Sequence, residues 1–253
     1  MNNNTRLFFS GALLSVMIGI TSCSQDKKSE QAEAEGQEHL EMKEKGHHQK
    51  EETHSHGETS GNGHGTHAEM KMGQNKTWTP SGNGIDLIKS DFHFITGNLE
   101  NINPVVKEVD GEQVLELDSD GTPAAFVFHN QYGNVGMIVK LKKLDFTGTI
   151  SLIHHAKDLT SYDFIAIKGQ NMKLGRVVNG QEDVFDEGDF DSGNDWMSLK
   201  VTAAGTHFKG YVDEKTVTHG HGDKMANGFV GIMVDGKGKI QIGSIETAVL
   251  EDE

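Results

Sequence analysis

The sequence predicts an all-β fold, a two-sheet antiparallel sandwich over residues 78–253 of a 253-residue chain. Three observations carry this reading. Runs rich in Val, Ile, Phe and Leu recur about every eight to twelve residues after Trp78, the spacing of a sandwich or barrel. Turn dipeptides punctuate them at Asp110-Gly111, Asp120-Gly121, Asn179-Gly180, Asp235-Gly236 and Lys237-Gly238. Such pairs supply the positive φ that tight hairpins need. No apolar pattern of helical period persists, and 31 glycines against 3 prolines suit many turns rather than long helices.

Strands are expected at 91–95, 105–109, 114–118, 124–129, 135–142, 149–155, 162–168 and 172–178. More follow at 183–186, 197–203, 206–212, 216–219, 229–234 and 239–249. Successive side chains on a strand point to opposite faces. Ile150 and Leu152 therefore oppose Ser151 and Ile153, Ile165 and Ile167 oppose Phe164 and Ala166, and Leu199 and Val201 oppose Ser198, Lys200 and Thr202. Trp196, at a strand start, is expected in the core. Cys23 is the only cysteine, which excludes an internal disulfide framework. Stability must then come from burial between the sheets, at about 25 cal/mol per Å² of apolar surface.

Ahead of the sandwich the composition changes twice. Residues 1–22 read as a signal peptide, with Arg6 followed by an apolar run from Leu7 to Ile20 that is short for a membrane span. The run ends Ile20-Thr21-Ser22-Cys23, which resembles the bacterial lipobox. That resemblance implies that Cys23 carries acyl chains such as palmitate and becomes the mature N-terminus. Ser24 after it resembles sorting to the outer membrane. Each buried CH₂ contributes about 0.8 kcal/mol, so several chains hold a protein on a membrane. Residues 23–77 contain Leu40 as their only Leu, Ile or Val and cannot build a core. They read as a disordered acidic tether that reaches about 40 Å as a random coil.

The tether is also rich in histidine. His47-His48, His54-Ser55-His56 and His64-Gly65-Thr66-His67 follow His39, with Met42, Met70 and Met72 nearby. Imidazole suits Zn, Cu and Ni, and thioether adds a preference for Cu(I). His47, His48, His54, His56, His64 and His67 are therefore candidate metal ligands. The formal charge of −15 argues against nucleic acid, whose recognition needs a basic face.

A family resemblance enters within the sandwich. It is carried by Asn179-Gly180, Trp196-Met197-Ser198-Leu199-Lys200-Val201 and Phe208-Lys209-Gly210-Tyr211-Val212-Asp213. Gly228-Phe229-Val230-Gly231-Ile232 and Ile240-Gln241-Ile242-Gly243-Ser244-Ile245 continue it. These segments resemble the C-terminal half of concanavalin A-like (laminin-G-like) jelly rolls, most of all the bacterial 3-keto-disaccharide hydrolase-like group. Upstream, Gly148 to His155 with Asp158 and Tyr162 looks like that group's strand–loop–strand, with His155 where an arginine often stands and Glu214 in place of the glycine usual after Asp213. The resemblance covers about residues 91–249. It implies a jelly roll that binds or cleaves carbohydrate on its concave sheet.

Sugar recognition needs aromatic faces and planar polar groups. His155, Tyr162, Phe164 and Arg176, one of two arginines, are the candidate ligand-binding residues. Catalysis finds less support. The nearest match to the paired-carboxylate strand of related glycosidases, Glu116-Leu117-Asp118-Ser119-Asp120, lacks the final Glu and reads as a strand end entering a turn. No catalytic residue is assigned. The acidic run from Asp186 to Asp195 has oxygen density for Ca²⁺ but reads as a solvated loop. His219, His221 and Asp223 fall within five residues and are candidate ligands for a transition metal, which His207 can approach through a short hairpin.

Three readings follow. The leading one is an anchored, non-catalytic binder of a glycan or glycoconjugate. The alternatives are a glycoside hydrolase-like enzyme and a metal-binding lipoprotein whose sandwich docks a protein partner. The anchor itself is directly testable. Cys23→Ser should move the protein from the membrane fraction to the soluble fraction on ultracentrifugation, and an unchanged membrane fraction would refute lipidation.

Overall fold

The computed structural model describes residues 72–193 and 195–252; Cys23 and His47, His48, His54, His56, His64 and His67 lie outside them. The elements in chain order are β1 (Lys76–Trp78), α1 (Gly84–Asp91), β2 (Phe92–Thr96), α2 (Leu99–Ile102), β3 (Val105–Val109), β4 (Glu112–Asp120), β5 (Ala124–Tyr132) and β6 (Val135–Lys143). They continue with β7 (Thr147–Asp158), β8 (Ser161–Lys168), β9 (Asn171–Val178), β10 (Gln181–Asp189), β11 (Met197–Ala204), β12 (His207–Val212), β13 (Lys215–His221) and β14 (Gly228–Val249).

The antiparallel strands form two layers that share β14. Its first half lies between β5 and β7, giving a first sheet ordered β2-β5-β14-β7-β8-β9-β10. Its second half lies between β4 and β6, giving a second sheet ordered β3-β4-β14-β6-β11-β12-β13. β1 pairs with β14 at Lys76↔Thr247 to Trp78↔Ile245.

Here the sequence reading needs correction. Asp235-Gly236 and Lys237-Gly238 do not turn the chain; they carry one 22-residue strand from sheet to sheet. Gly236 and Gly238 hold φ of +156° and +113°. A Cβ on Gly236 would collide with the Thr147 carbonyl, and one on Gly238 would sit 2.7 Å from the Asp145 carbonyl oxygen. The Ser119 hydroxyl donates to the Gly236 carbonyl at 2.6 Å and pins the crossing. The glycines are there for close backbone approach, which a local reading takes for a turn.

Alternation fills the space between the layers. Ile150, Leu152, Ile165, Ile167, Leu199 and Val201 all enter the main core, with Phe126, Phe208, Leu115, Leu117 and Met137. Each such side chain contributes about 1.5–3 kcal/mol on burial. Trp196 departs from expectation. It lies half-exposed, with Lys140 Nζ 5.5 Å from its ring, while the core tryptophan is Trp78. Trp78 meets Phe92 edge-on at 5.3 Å and donates its Nε1–H to Asp91 at 2.7 Å. Pairing also begins before residue 78: Gly73 donates to the Gln131 carbonyl at 2.6 Å, and Val249 donates to Asn75 Oδ1 at 2.8 Å. Residues 72–77 contain no Leu, Ile or Val and join the fold through backbone pairing and the Asn75 side chain, which composition does not reveal.

Helix α1 starts at Asn83, whose side-chain oxygen accepts from Ile85 and Asp86, and buries Ile88. The β12–β13 hairpin turns through Asp213 and Glu214, at φ +48° and +67°. A left-handed backbone costs a non-glycine residue about 1–2 kcal/mol. Glu214→Gly should therefore stabilise the domain by about 0.5–1 kcal/mol after the entropy of glycine is counted. Thermal unfolding should show a midpoint a few degrees higher, and no rise would mean the turn is unstrained.

Candidate functional site

The outer face of the first sheet is apolar. Inward residues of β5, β7, β8 and β14 enter the main core, so their neighbours face away from the second sheet. These neighbours form a second cluster: Ala125 and Val127 on β5, Ile153 on β7, Tyr162 and Phe164 on β8, and Val177 on β9, with Ile95, Ala166, Phe229 and Met233 packed against it. Tyr162 and Phe164 are 9% and 5% exposed and floor this face. The Phe164 ring lies over Gly175, where a Cβ would stand 2.9 Å from it. Phe229 and Met233 are half-exposed and form its accessible surface. At its β2–β5 end, His93 and His129 stack with Nδ1 atoms 3.2 Å apart, and Phe229 meets His93 edge-on at 4.6 Å. Burial and the neighbouring His129 lower the pKa of His93. Burial, then Glu182 and Asp235, raises that of the Tyr162 phenol.

His155 and Arg176 do not join Tyr162 and Phe164. Register places His154 beside Asp163, and Asp163 beside Arg176, all directed inward. Arg176 grips Asp163 through two hydrogen bonds of 2.5 and 3.1 Å, and its Nη2 also donates to the Asp223 carbonyl at 2.8 Å. Its guanidinium packs over Phe185 and Phe208 at 5.4 and 5.5 Å. His155, at φ +49° in a bulge of β7, donates from Nε2 to the Gly133 carbonyl at 2.6 Å. Its Nδ1 lies 2.9 Å from His154 Nδ1 and 3.2 Å from Asp163 Oδ2.

This buried network has a fixed charge pattern. Burial alone would raise Asp163, but hydrogen bonds from His155 and Arg176 override it and hold the carboxylate at about 2. Burial first, and then the neighbouring His155, pushes His154 down to about 3, so its ring is neutral. Both Asp163 oxygens are occupied by Arg176, so the cluster ties β7, β8, β9 and the segment after β13 together. His155 and Arg176, expected as sugar contacts beside Tyr162 and Phe164, lie buried in this inward network and not on the face that Tyr162 and Phe164 floor.

His219 and His221 lie on one face of β13, and His207 on β12 pairs with His221. One ring nitrogen from each lies within 4.8 Å of the others. The Asp223 side chain is not in this group. Among the described residues, the acidic run 186–195 gathers no comparable cluster; Asp186 accepts from the His219 amide and Asp195 pairs with Lys142. Glu116 is buried on the second sheet. Burial favours its neutral form, but hydrogen bonds from Lys107 and Gln241 outweigh this and lower its pKa. That is the wrong direction for a general acid.

No family model and no curated protein sequence matches the chain. Solved structures do. The beta-glucanase of Bacillus licheniformis is 15% identical, with a TM-score of 0.50 over 71% of this chain and 100% of its own. A Bacillus subtilis protein of unknown function with a galectin-like fold is 8% identical, with a TM-score of 0.50 over 70% and 97%. The carbohydrate-binding module CBM66 from Bacillus subtilis is 18% identical, with a TM-score of 0.46 over 64% and 94%. The fold is a concanavalin A-like jelly roll. A protein named as a beta-glucanase thus shares this architecture.

The neutral His154 gives the domain an acid sensitivity of known sign. An unfolded histidine takes a proton near pH 6.5, whereas this one does not until about pH 3. Its contribution to stability is therefore complete above pH 6.5 and fades as the pH falls toward 3. Between pH 7 and 5 the ring accounts for a loss of about 2 kcal/mol. His154→Phe should shrink the drop measured by urea unfolding by about that amount. An undiminished drop would mean that the native ring takes up a proton.

Proposed function

We propose that the protein is a lipid-anchored glycan-binding lipoprotein whose jelly roll holds carbohydrate without cleaving it. The observation that carries this reading is the second apolar cluster on the outer face of the first sheet. A sheet face turned away from the core is ordinarily polar. Here Tyr162 and Phe164 make an aromatic floor, Phe229 and Met233 rise from it, and Glu182, Asp235, Lys168 and Lys173 supply polar groups around it. Apolar faces with a charged margin suit the C–H faces and hydroxyl edges of a sugar ring. The shared fold with a glucanase supports carbohydrate as the ligand class.

Binding is favoured over hydrolysis by the fate of Glu116, which is held ionised by Lys107 and Gln241 on the other sheet. The anchor rests on Ile20-Thr21-Ser22-Cys23, with the outer membrane as the destination that Ser24 favours. The test is a glycan array followed by affinity electrophoresis in soluble β-glucans. Phe229→Ala should weaken retention about tenfold, the effect of losing one aromatic contact. A blank array, or retention unchanged by Phe229→Ala and Met233→Ala, would overturn the assignment; release of reducing sugar would turn it into an enzyme.

A further inference from the structure

From Trp78 onward the chain has seven histidines, and each has another histidine as its neighbour. Two of the groups have a limited capacity for metal. His154 and His155 are sealed beside an Asp163 whose oxygens Arg176 already holds. His93 and His129 offer two nitrogens. The third group has three imidazoles on one face. His219 and His221 are exposed and His207 is half-buried. Among the described residues, no hydrogen bond or ion pair engages the imidazole of any of the three.

We infer that His207, His219 and His221 form a binding site for a divalent d-block cation of the Zn²⁺, Cu²⁺ or Ni²⁺ class. Residues i and i+2 of a strand share a face, which aligns His219 with His221. The antiparallel register then sets His207 directly across from His221. Ring centroids lie 4.5 Å apart for His207–His221, 4.8 Å for His219–His221 and 6.2 Å for His207–His219. Tetrahedral bonds of about 2.0–2.1 Å need nitrogens about 3.4 Å apart. The candidate atoms lie within 4.8 Å of one another, so modest side-chain rotation closes the gap.

The backbone beneath is held on several sides. The His219 amide donates to Asp186 at 2.8 Å, Gly222 donates to the Thr206 carbonyl at 3.1 Å, and Arg176 holds the Asp223 carbonyl. Gly220, between the two histidines, packs so tightly that a Cβ would lie 2.6 Å from Phe185 Cβ. Ligands on anchored strands lose little freedom on binding. Three neutral imidazoles select d-block cations over Ca²⁺ and Mg²⁺, which need oxygen ligands. Three nitrogens leave the fourth position to solvent.

The test uses the metal-stripped full chain and Zn²⁺, with Co²⁺ as the spectroscopic probe. Zn²⁺ should raise the thermal unfolding midpoint, and Co²⁺ should give the visible bands of a tetrahedral ion. His207→Gln, His219→Gln and His221→Gln should each lose the midpoint rise, the bands and one equivalent of Zn²⁺ in equilibrium dialysis. His93→Gln should keep all three. Histidines 39–67 are the same in every variant, so differences between variants read this site alone. Should one variant fail to fold, the other two decide. Full stoichiometry in the triad variants, loss in His93→Gln, or an equal midpoint rise with Ca²⁺ would overturn the site. A blank glycan array would leave it standing.

Discussion

One strand joins the two layers. β14 is shared between the first and second sheets, and its crossing works only because Gly236, Gly238 and Gly148 let backbones meet where side chains would collide. Both outer faces are set by that crossing. Its first half orients Phe229 and Met233 outward while Val230, Ile232 and Val234 fill the core. Its second half supplies Ile240, Ile242 and Ile245 to the same core from the other layer. A slip of one residue anywhere along β14 would exchange inside for outside in both sheets together.

The Asp163–Arg176 pair couples regions that this frame leaves apart. A buried ion pair is weak evidence of added stability, because desolvation offsets much of the attraction, but removing one partner strands a charge. Its geometric effect is clearer. Arg176 reaches from β9 to the carbonyl of Asp223, two residues beyond His221. Phe208, beside His207, lies under the same guanidinium and faces the His154 ring. The buried polar cluster therefore stands behind the exposed histidine face and fixes both strands that present it.

Much of the sandwich was legible because period-two alternation is a local property. The strand at 105–109 lies where the sequence places it, and Tyr162 and Phe164 take the face opposite Ile165 and Ile167 as alternation requires. What depends on long-range register was not legible. Alternation sets Arg176 on the face of Met172 and Leu174, but no window around it or around Asp163 shows that the two stand opposite each other and pair their charges. The glycines of β14 carry the same letters as a turn. Trp196 lies half-exposed and Trp78 is buried in the core, because burial depends on which layer lies over a strand end. The nearness of His207 to His221 needs only the hairpin between them, and so was open to a sequence argument.

The meeting of β10 with β13 bears on solubility. Gly188 packs against the Val217 backbone, and Asp186 caps the His219 amide. The terminal strands of the two layers thereby shield each other instead of offering ladders of free amide groups. At the opposite ends, β2 and β3 are five residues each, and β3 carries Lys107 and Glu108. Short and charged margins are poor templates for a foreign strand. Copies of this protein crowded together should therefore resist edge-to-edge polymerisation, leaving side-chain surfaces, not backbone ladders, as the means of contact with other molecules.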